Sequence, residues 1–501
     1  MTAHRGSVAA VAVVALLTSA CAARQAPDVR TASAPASASG AADASAPSAL
    51  ATDVDRRFAA ATATALWSVR IERADTGAVL VDRNAGRLLI PASNMKIVTL
   101  AAAATRLGWD FRFQTRLHAT GARHGHALRG DLVVVGGADP TIGRGPDPLA
   151  TFRDWARQLR AQGIQRIDGD LIGDPTRFGE DWLGGAWSWD DLPYGYAAKY
   201  SGLIFDENVV RLRVQPGPAP GQPARIALSP DVFEFHVRAR VETSPAGEAP
   251  TLAVHRDGQS PVVEVTGSIP HGGPPVERTL AVDDPARFFL GVLRQTLAGE
   301  GIEVRGRTRV ERTDDTALGA PLIVHASPPL PEVARRLMKV SQNLYGEVLL
   351  RALTADAAAG AAPAADARRA LQDAIGAIGV PTGSVQGLDG SGLSRRDFVT
   401  AEALITLLRH MDVEPHREPF RATLPVAGRD GTLARRFTGN PCEGRLIAKT
   451  GTLAHARALS GYITSASGTP YVFAVIANNF IVPAREIDAI VEDALGVLCA
   501  S

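Results

Sequence analysis

The sequence predicts an α/β unit interrupted by a mainly β insertion. Three observations carry that expectation. Helical periodicity with Ala-rich runs stands at both ends of the folded part. Between them, residues 112–325 are short β-like runs punctuated by Gly and Pro. Three short strings of reactive residues fall only in the flanking parts: Ser93-Asn94-Met95-Lys96 before the insertion, then Ser341-Gln342-Asn343 and Lys449-Thr450-Gly451-Thr452 after it.

Size and composition set the frame. The chain has 501 residues, which suggests about two to four domains. A hydrophobic fraction of 46% supplies ample core. A formal net charge of +1 gives no electrostatic case for nucleic acid. Residues 1–22 read as an export signal. His4 and Arg5 start it, and residues 8–17 form an apolar run too short to span a bilayer. Ala20-Cys21-Ala22 fits a small-x-small cleavage site, while Leu17-Thr18-Ser19-Ala20-Cys21 resembles a lipoprotein box that would put a lipid on Cys21. Both readings stay open. Export predicts a periplasmic protein, membrane-anchored if Cys21 is lipidated. Residues 23–52, rich in Ala, Ser and Pro, read as a disordered linker. Cys442 and Cys499 are the cysteines of the folded part and are expected to pair in an oxidising compartment. No Cys/His cluster has metal-ligand spacing, so neither metal nor cofactor is expected.

The elements follow in order. Residues 54–66 have helical spacing, and 67–72 alternate as a strand. A turn at Thr76-Gly77 leads to a second strand over 78–81. Ser93 opens a helix that ends near Gly108. Strand-like runs over 130–137, 169–174, 209–214 and 262–265 make up the middle, with helices over 149–162 and 285–297. The two Gly-Asp-Leu openings, at 130 and 169, form a weak internal repeat. Helices return over 330–338, 343–358, 364–378 and 401–411. Strands over 445–449, 456–463 and 472–478 and a helix over 484–498 close the chain. The expected organisation is therefore one catalytic domain in two parts, 53–111 and 326–501, split by an insertion over 112–325.

The three strings describe an acyl-serine site. Positions i and i+3 share a helix face, so Ser93 and Lys96 point the same way. A serine hydroxyl needs a base, and a lysine can serve only when its ammonium has lost its proton. Burial and a neighbouring cation, here Lys449, both favour that loss. At a helix start the Ser93 N–H is a natural donor to an oxyanion, and the Thr452 N–H is a second candidate. Ser341 offers a hydroxyl for proton relay, and Asn343 an amide to hold a substrate amide. The Thr450 and Thr452 hydroxyls suit a carboxylate, and Gly451 permits close approach. Each string alone occurs cheaply by chance. The ordered set, with the serine just after Pro91-Ala92 and the last string among strands, does not.

S-x-x-K, S-x-N and K-T-G in this order are the signature of serine β-lactamases and penicillin-binding proteins. The chain resembles the DacB-type, class C low-molecular-mass penicillin-binding proteins more widely. Pro91 to Lys96, the run from Gly130-Asp131-Leu132 to Ala138-Asp139-Pro140-Thr141, and Ser341 to Glu347 all match that family's motifs. So do Asp389-Gly390-Ser391-Gly392-Leu393-Ser394 and the run from Leu424-Pro425 to Thr432-Leu433. The resemblance covers about residues 53–498. It implies a β-lactamase/transpeptidase-like catalytic domain with one or two smaller inserted domains. It also implies D-alanyl-D-alanine carboxypeptidase or endopeptidase activity on peptidoglycan stem peptides, with β-lactams as inhibitors. In roles it implies Ser93 as nucleophile, Lys96 as base, Ser341 as relay, and Asn343 and Lys449 for substrate. Gln342 stands where the family often has Asp or Asn, and Ala138 where it often has Gly. Ser391 has no assigned base, so its loop is read as lining the site. A β-lactamase of the same fold and an idle peptidoglycan-binding scaffold share these strings. The long insertion argues against the first, and the complete set of reactive side chains against the second. The oligomeric state, homo-oligomer or monomer, stays open.

Overall fold

The computed structural model describes residues 48–501 except 61–64, 177–178, 180–181, 231–234, 258–259, 315–316 and 355–363. The export segment, the linker as far as residue 47, and the end of the helix expected over 343–358 lie outside the described residues.

One five-stranded antiparallel sheet draws on both ends of the chain. Val79–Arg83 is one edge and pairs with Leu66–Arg73. Pro470–Asn478 comes next, then Ala456–Thr464, and Leu446–Leu453 is the far edge. Alternation along a strand puts Trp67, Val69 and Ile71 on one face. All three are buried in a core shared with the helices Ala49–Ala60 and Ala484–Ala500. The opposite face carries Tyr462, Val472, Ala474 and Ile476 into a second core with the helices Met95–Leu107, Leu330–Lys339, Asn343–Ala352, Ala364–Ile378 and Ala401–Met411. Met95–Leu107 is the central helix of this core and is buried from Met95 through Ala104.

Two boundaries differ from the sequence reading. The helix expected over 54–66 is Ala49–Ala60, so it begins inside the stretch read as linker. Ala51, Val54 and Phe58 are buried, and packing against the C-terminal helix outweighs a composition that looks disordered. Leu66 is not helical but opens the first strand, paired with Asn478. The strand expected over 445–449 continues to Leu453, so Lys449-Thr450-Gly451-Thr452 lies wholly within the edge strand.

Between Leu107 and Leu330 the chain builds separate sheets. Thr308–Val310, Leu171–Asp174, Leu132–Val135, Gln114–Ala119 and Ile323–Ala326 form a second five-stranded sheet in that order. The two Gly-Asp-Leu openings are neighbours there: Leu132 pairs with Leu171 in parallel, with the helix Ala150–Ala161 between them in sequence. Each aspartate fixes the start of the next strand. Asp131 Oδ1 accepts from the Asp170 N–H, and Asp170 Oδ1 from the Arg307 N–H, both at 2.7 Å. Both copies leave through Asp-Pro-Thr, where Asp139 and Asp174 each accept a threonine N–H at 2.8 Å. Two three-stranded sheets follow, Arg225–Ser229, Val209–Gln215 and Val276–Ala281, then His236–Ser244, Val262–Pro270 and Ala253–His255. The helix Pro285–Gly299, capped by Asp284, packs into the core of the insertion.

A disulfide joins Cys442 to Cys499, 57 positions apart. It ties the approach to the edge strand to the C-terminal helix. Closing a loop of that length removes about 4 kcal/mol of entropy from the unfolded chain. The double variant Cys442→Ala/Cys499→Ala is expected to lose about that much in denaturant unfolding. Equal stability of variant and oxidised parent would show that the bridge contributes nothing.

Candidate active site

The site begins at a strained turn. Ala92–Asn94 is a single turn of 3₁₀ helix leading into Met95–Leu107. Ala92 has φ +46°, a left-handed conformation that costs an L residue about 1–3 kcal/mol. Neighbours hold it there. Gly392, at φ +80°, lets the Ala92 carbonyl sit 1.8 Å from where a Cβ would stand. Gly451 likewise leaves room for the Pro91 carbonyl, 2.5 Å from its absent Cβ. Gly451 thus seats the edge strand against the turn. The Asn94 amide donates to Ser460 Oγ at 2.7 Å, tying the turn to the middle of the sheet. Ser93, between these anchors, reaches the cavity.

Lys96 lies one turn further and is fully buried. Its ammonium nitrogen donates to Ser93 Oγ at 2.9 Å, to Asn343 Oδ1 at 2.6 Å and to the Ser391 carbonyl at 2.7 Å. Burial brings its pKa down to about 7, against the pull of Asp389, Glu347 and Asp397. Of the two causes expected, burial is the one that lowers Lys96. Repulsion between the two ammoniums adds to burial at Lys449, whose pKa falls well below the usual lysine range. Lys449 Nζ donates to Ser341 Oγ at 2.8 Å and to the Thr450 carbonyl at 2.7 Å.

Ser341 is the second strained position, at φ +61°. Gln342 caps the helix Asn343–Ala352 by accepting from the Leu344 N–H. Its own amide donates to Glu207 Oε2 at 2.7 Å. Glu207 belongs to the insertion and sits in a left-handed run, Asp206 to Asn208. Asn343 gives its oxygen to Lys96 and its amide to the Tyr196 carbonyl at 2.7 Å. Sequence reasoning left both insertion residues, Glu207 and Tyr196, without a role.

Three buried carboxyl groups stand behind Lys96. Asp389 accepts from the Ser391, Gly392 and Ser394 N–H groups and from Trp187 Nε1 at 3.0, 2.6, 2.7 and 2.8 Å. This fixes the loop that presents the Ser391 carbonyl. Burial, with Asp389 nearby, raises Glu347 to about 8 and pushes Asp397 well above the ordinary aspartate range. Glu347 follows Asn343 by four positions on one helix, a spacing that could have marked it. Asp389 precedes Gly-Ser-Gly, a turn signal. Tyr196 carried no sequence signal.

A cavity of about 720 Å³ opens over this assembly. Ser93, Ser341, Asn343, Thr450 and Thr452 line it, while Lys96 and Lys449 lie buried beneath. Thr450 Oγ1 donates to Thr432 Oγ1 at 2.7 Å, which places the Asp430-Gly431-Thr432 stretch at the site. Asp191, Arg395, Arg436 and Arg457 give the walls both charges.

A hydroxyl held by a buried amine, beside a second hydroxyl–amine pair in a polar cavity, defines a serine acyl-transfer site by class. The chain belongs to the D-Ala-D-Ala carboxypeptidase 3 (S13) family, which matches residues 50–495. It is 33% identical over 437 residues to the D-alanyl-D-alanine carboxypeptidase of Actinomadura sp. (strain R39), covering 85% of this chain and 79% of that one. It is 27% identical to the D-alanyl-D-alanine carboxypeptidase DacB of Haemophilus influenzae, covering 80% and 83%. The crystal structure of penicillin binding protein 4 (dacB) from Haemophilus influenzae shares the fold with a TM-score of 0.79, at 24% identity, over 90% of this chain and 99% of that one. The same protein complexed with a β-lactam has a TM-score of 0.74, at 22% identity.

Asp389→Ala would leave four N–H groups around a buried carboxyl site without their acceptor. It is expected to cost about 3 kcal/mol or more in denaturant unfolding. A loss below about 1 kcal/mol would show that the loop is held by something else.

Proposed function

We propose that Ser93 is the acylated nucleophile of a peptidase acting on D-alanyl-D-alanine at the end of peptidoglycan stem peptides. Neutral Lys96 takes the Ser93 proton as Oγ attacks the carbonyl of the penultimate D-alanine. The N–H groups of Ser93 and Thr452 answer the charge on the carbonyl oxygen. The C–N bond then breaks. The leaving amine receives the proton that Lys96 took, passed through Ser341, whose hydroxyl Lys449 holds. Water releases the acyl group from Ser93 and restores the hydroxyl. Asn343 orients the substrate amide. Lys449, Thr450 and Thr452 receive the terminal carboxylate, and Gly451 keeps their strand against the nucleophile turn. The observation that carries this reading is the 2.9 Å approach of buried Lys96 Nζ to Ser93 Oγ.

The same machinery cleaves D-alanine cross-links when the cavity admits a second strand. β-Lactams acylate Ser93 as substrate mimics, a reading supported by the β-lactam complex of the Haemophilus relative. Residues 53–111 and 326–501 act as one catalytic domain, with 112–325 inserted. Support comes from the central sheet, which takes strands from both flanks. The protein is exported by residues 1–22 and works in the periplasm, on a lipid if Cys21 is modified. No described helix is long and apolar enough to cross a membrane.

Mass spectrometry of digested protein after penicillin treatment tests the assignment. The adduct is expected on the peptide carrying Ser93 and absent from Ser93→Ala. An adduct elsewhere, or no adduct with no D-alanine released from muropeptides, would overturn it. Rapid turnover of a chromogenic cephalosporin would make the protein a β-lactamase instead.

A further inference from the structure

A second cavity, of about 500 Å³, adjoins the active-site cavity. The two share Tyr196, Ser341 and Asn343 as lining. From Ser341 the second cavity runs outward between Arg336 and the strand Val276–Ala281 of the insertion, where Glu277, Arg278 and Thr279 line it.

We infer that this groove is the subsite for the second peptide strand of cross-linked peptidoglycan, the strand joined through the leaving amine. The inference rests on the peptidase reading above and extends it. Ser341 is the group proposed to hand a proton to that amine, so a groove that starts at Ser341 lies on the leaving side. A single strand ends one residue past the scissile bond and has no use for it. A cross-linked strand continues and must lie somewhere.

The walls of the groove are tied to one another and to the site. Tyr194 bridges to Leu280, and Gly195 lies so close to the strand that a Cβ there would meet Thr279 Cγ2 at 2.6 Å. The Tyr196 carbonyl is held by Asn343. On the other wall Glu207 accepts from Arg336 Nη2 at 3.0 Å and from Gln342 at 2.7 Å. Those charges are satisfied internally. Arg278 differs: among the described residues its guanidinium donates to the Glu277 carbonyl, at 3.0 Å, and to no carboxylate. The Glu277 carboxylate stands 3.9 Å from Arg213 at the surface. A guanidinium with no carboxylate partner among the described residues, and a carboxylate on the same strand, suit a peptide that bears both carboxylates and an amine.

The test compares two substrates on the full chain: a short peptide ending in D-Ala-D-Ala and a cross-linked muropeptide dimer. Arg278→Glu and Glu277→Lys are expected to lower kcat/KM for the dimer roughly five- to ten-fold. The short peptide should stay within about two-fold, with penicillin acylation of Ser93 and thermal unfolding unchanged. Equal losses on both substrates, no loss on either, or a parent protein that cleaves only the short peptide would overturn the inference. A parent that cleaves neither and takes up no penicillin would instead sink the peptidase reading itself.

Discussion

The fold has one problem to solve, which is to keep an amine dry. Lys96 is fully buried, and its three hydrogen bonds go to Ser93, Asn343 and the Ser391 carbonyl. An ammonium in water holds its proton to about 10.4 and is no base at neutral pH. Burial alone lowers Lys96 into the working range. The nearby carboxyl groups oppose that shift, and their own burial limits the opposition. Burial raises Glu347 to about 8 and pushes Asp397 well above the ordinary aspartate range. The low dielectric that favours neutral Lys96 also favours the neutral form of two of the groups that oppose its shift.

Strain is concentrated around the same atoms. Ala92 and Ser341 both sit at positive φ, on either side of the Ser93–Lys96 pair. Each is held by packing from a distant segment, Gly392 against Ala92 and the Gln342–Glu207 contact beside Ser341. The insertion therefore takes part in the site. Trp187, Tyr196 and Glu207 come from it and reach Asp389, Asn343 and Gln342 respectively. The geometry of the second string depends on residues more than a hundred positions upstream.

That dependence explains what the sequence could and could not tell. The meeting of Ser93 with Lys96 was legible because positions i and i+3 share a helix face. The helices over 364–378 and 401–411 were legible because an amphipathic face repeats with the helix period. The contacts of Tyr196 were not, since a backbone carbonyl accepting from Asn343 leaves no trace in residue type. The first helix was misplaced because Ala49–Ala60 is ordered by the C-terminal helix, whose partnership no local pattern announces. The extent of burial around Lys96 also had to wait for the packing. Spacing can put two amines in one site, but it cannot say how dry the site is.

The central claim is that burial makes Lys96 a base near neutrality. The pH dependence of Ser93 acylation by penicillin tests it most directly. With deprotonated Lys96 proposed as the active form, the second-order rate constant should be small in acid, rise with pH, and level off after an inflection near the Lys96 pKa of about 7. A rate that is flat across that range, or one that keeps rising toward the ordinary lysine pKa of about 10.4, would contradict it.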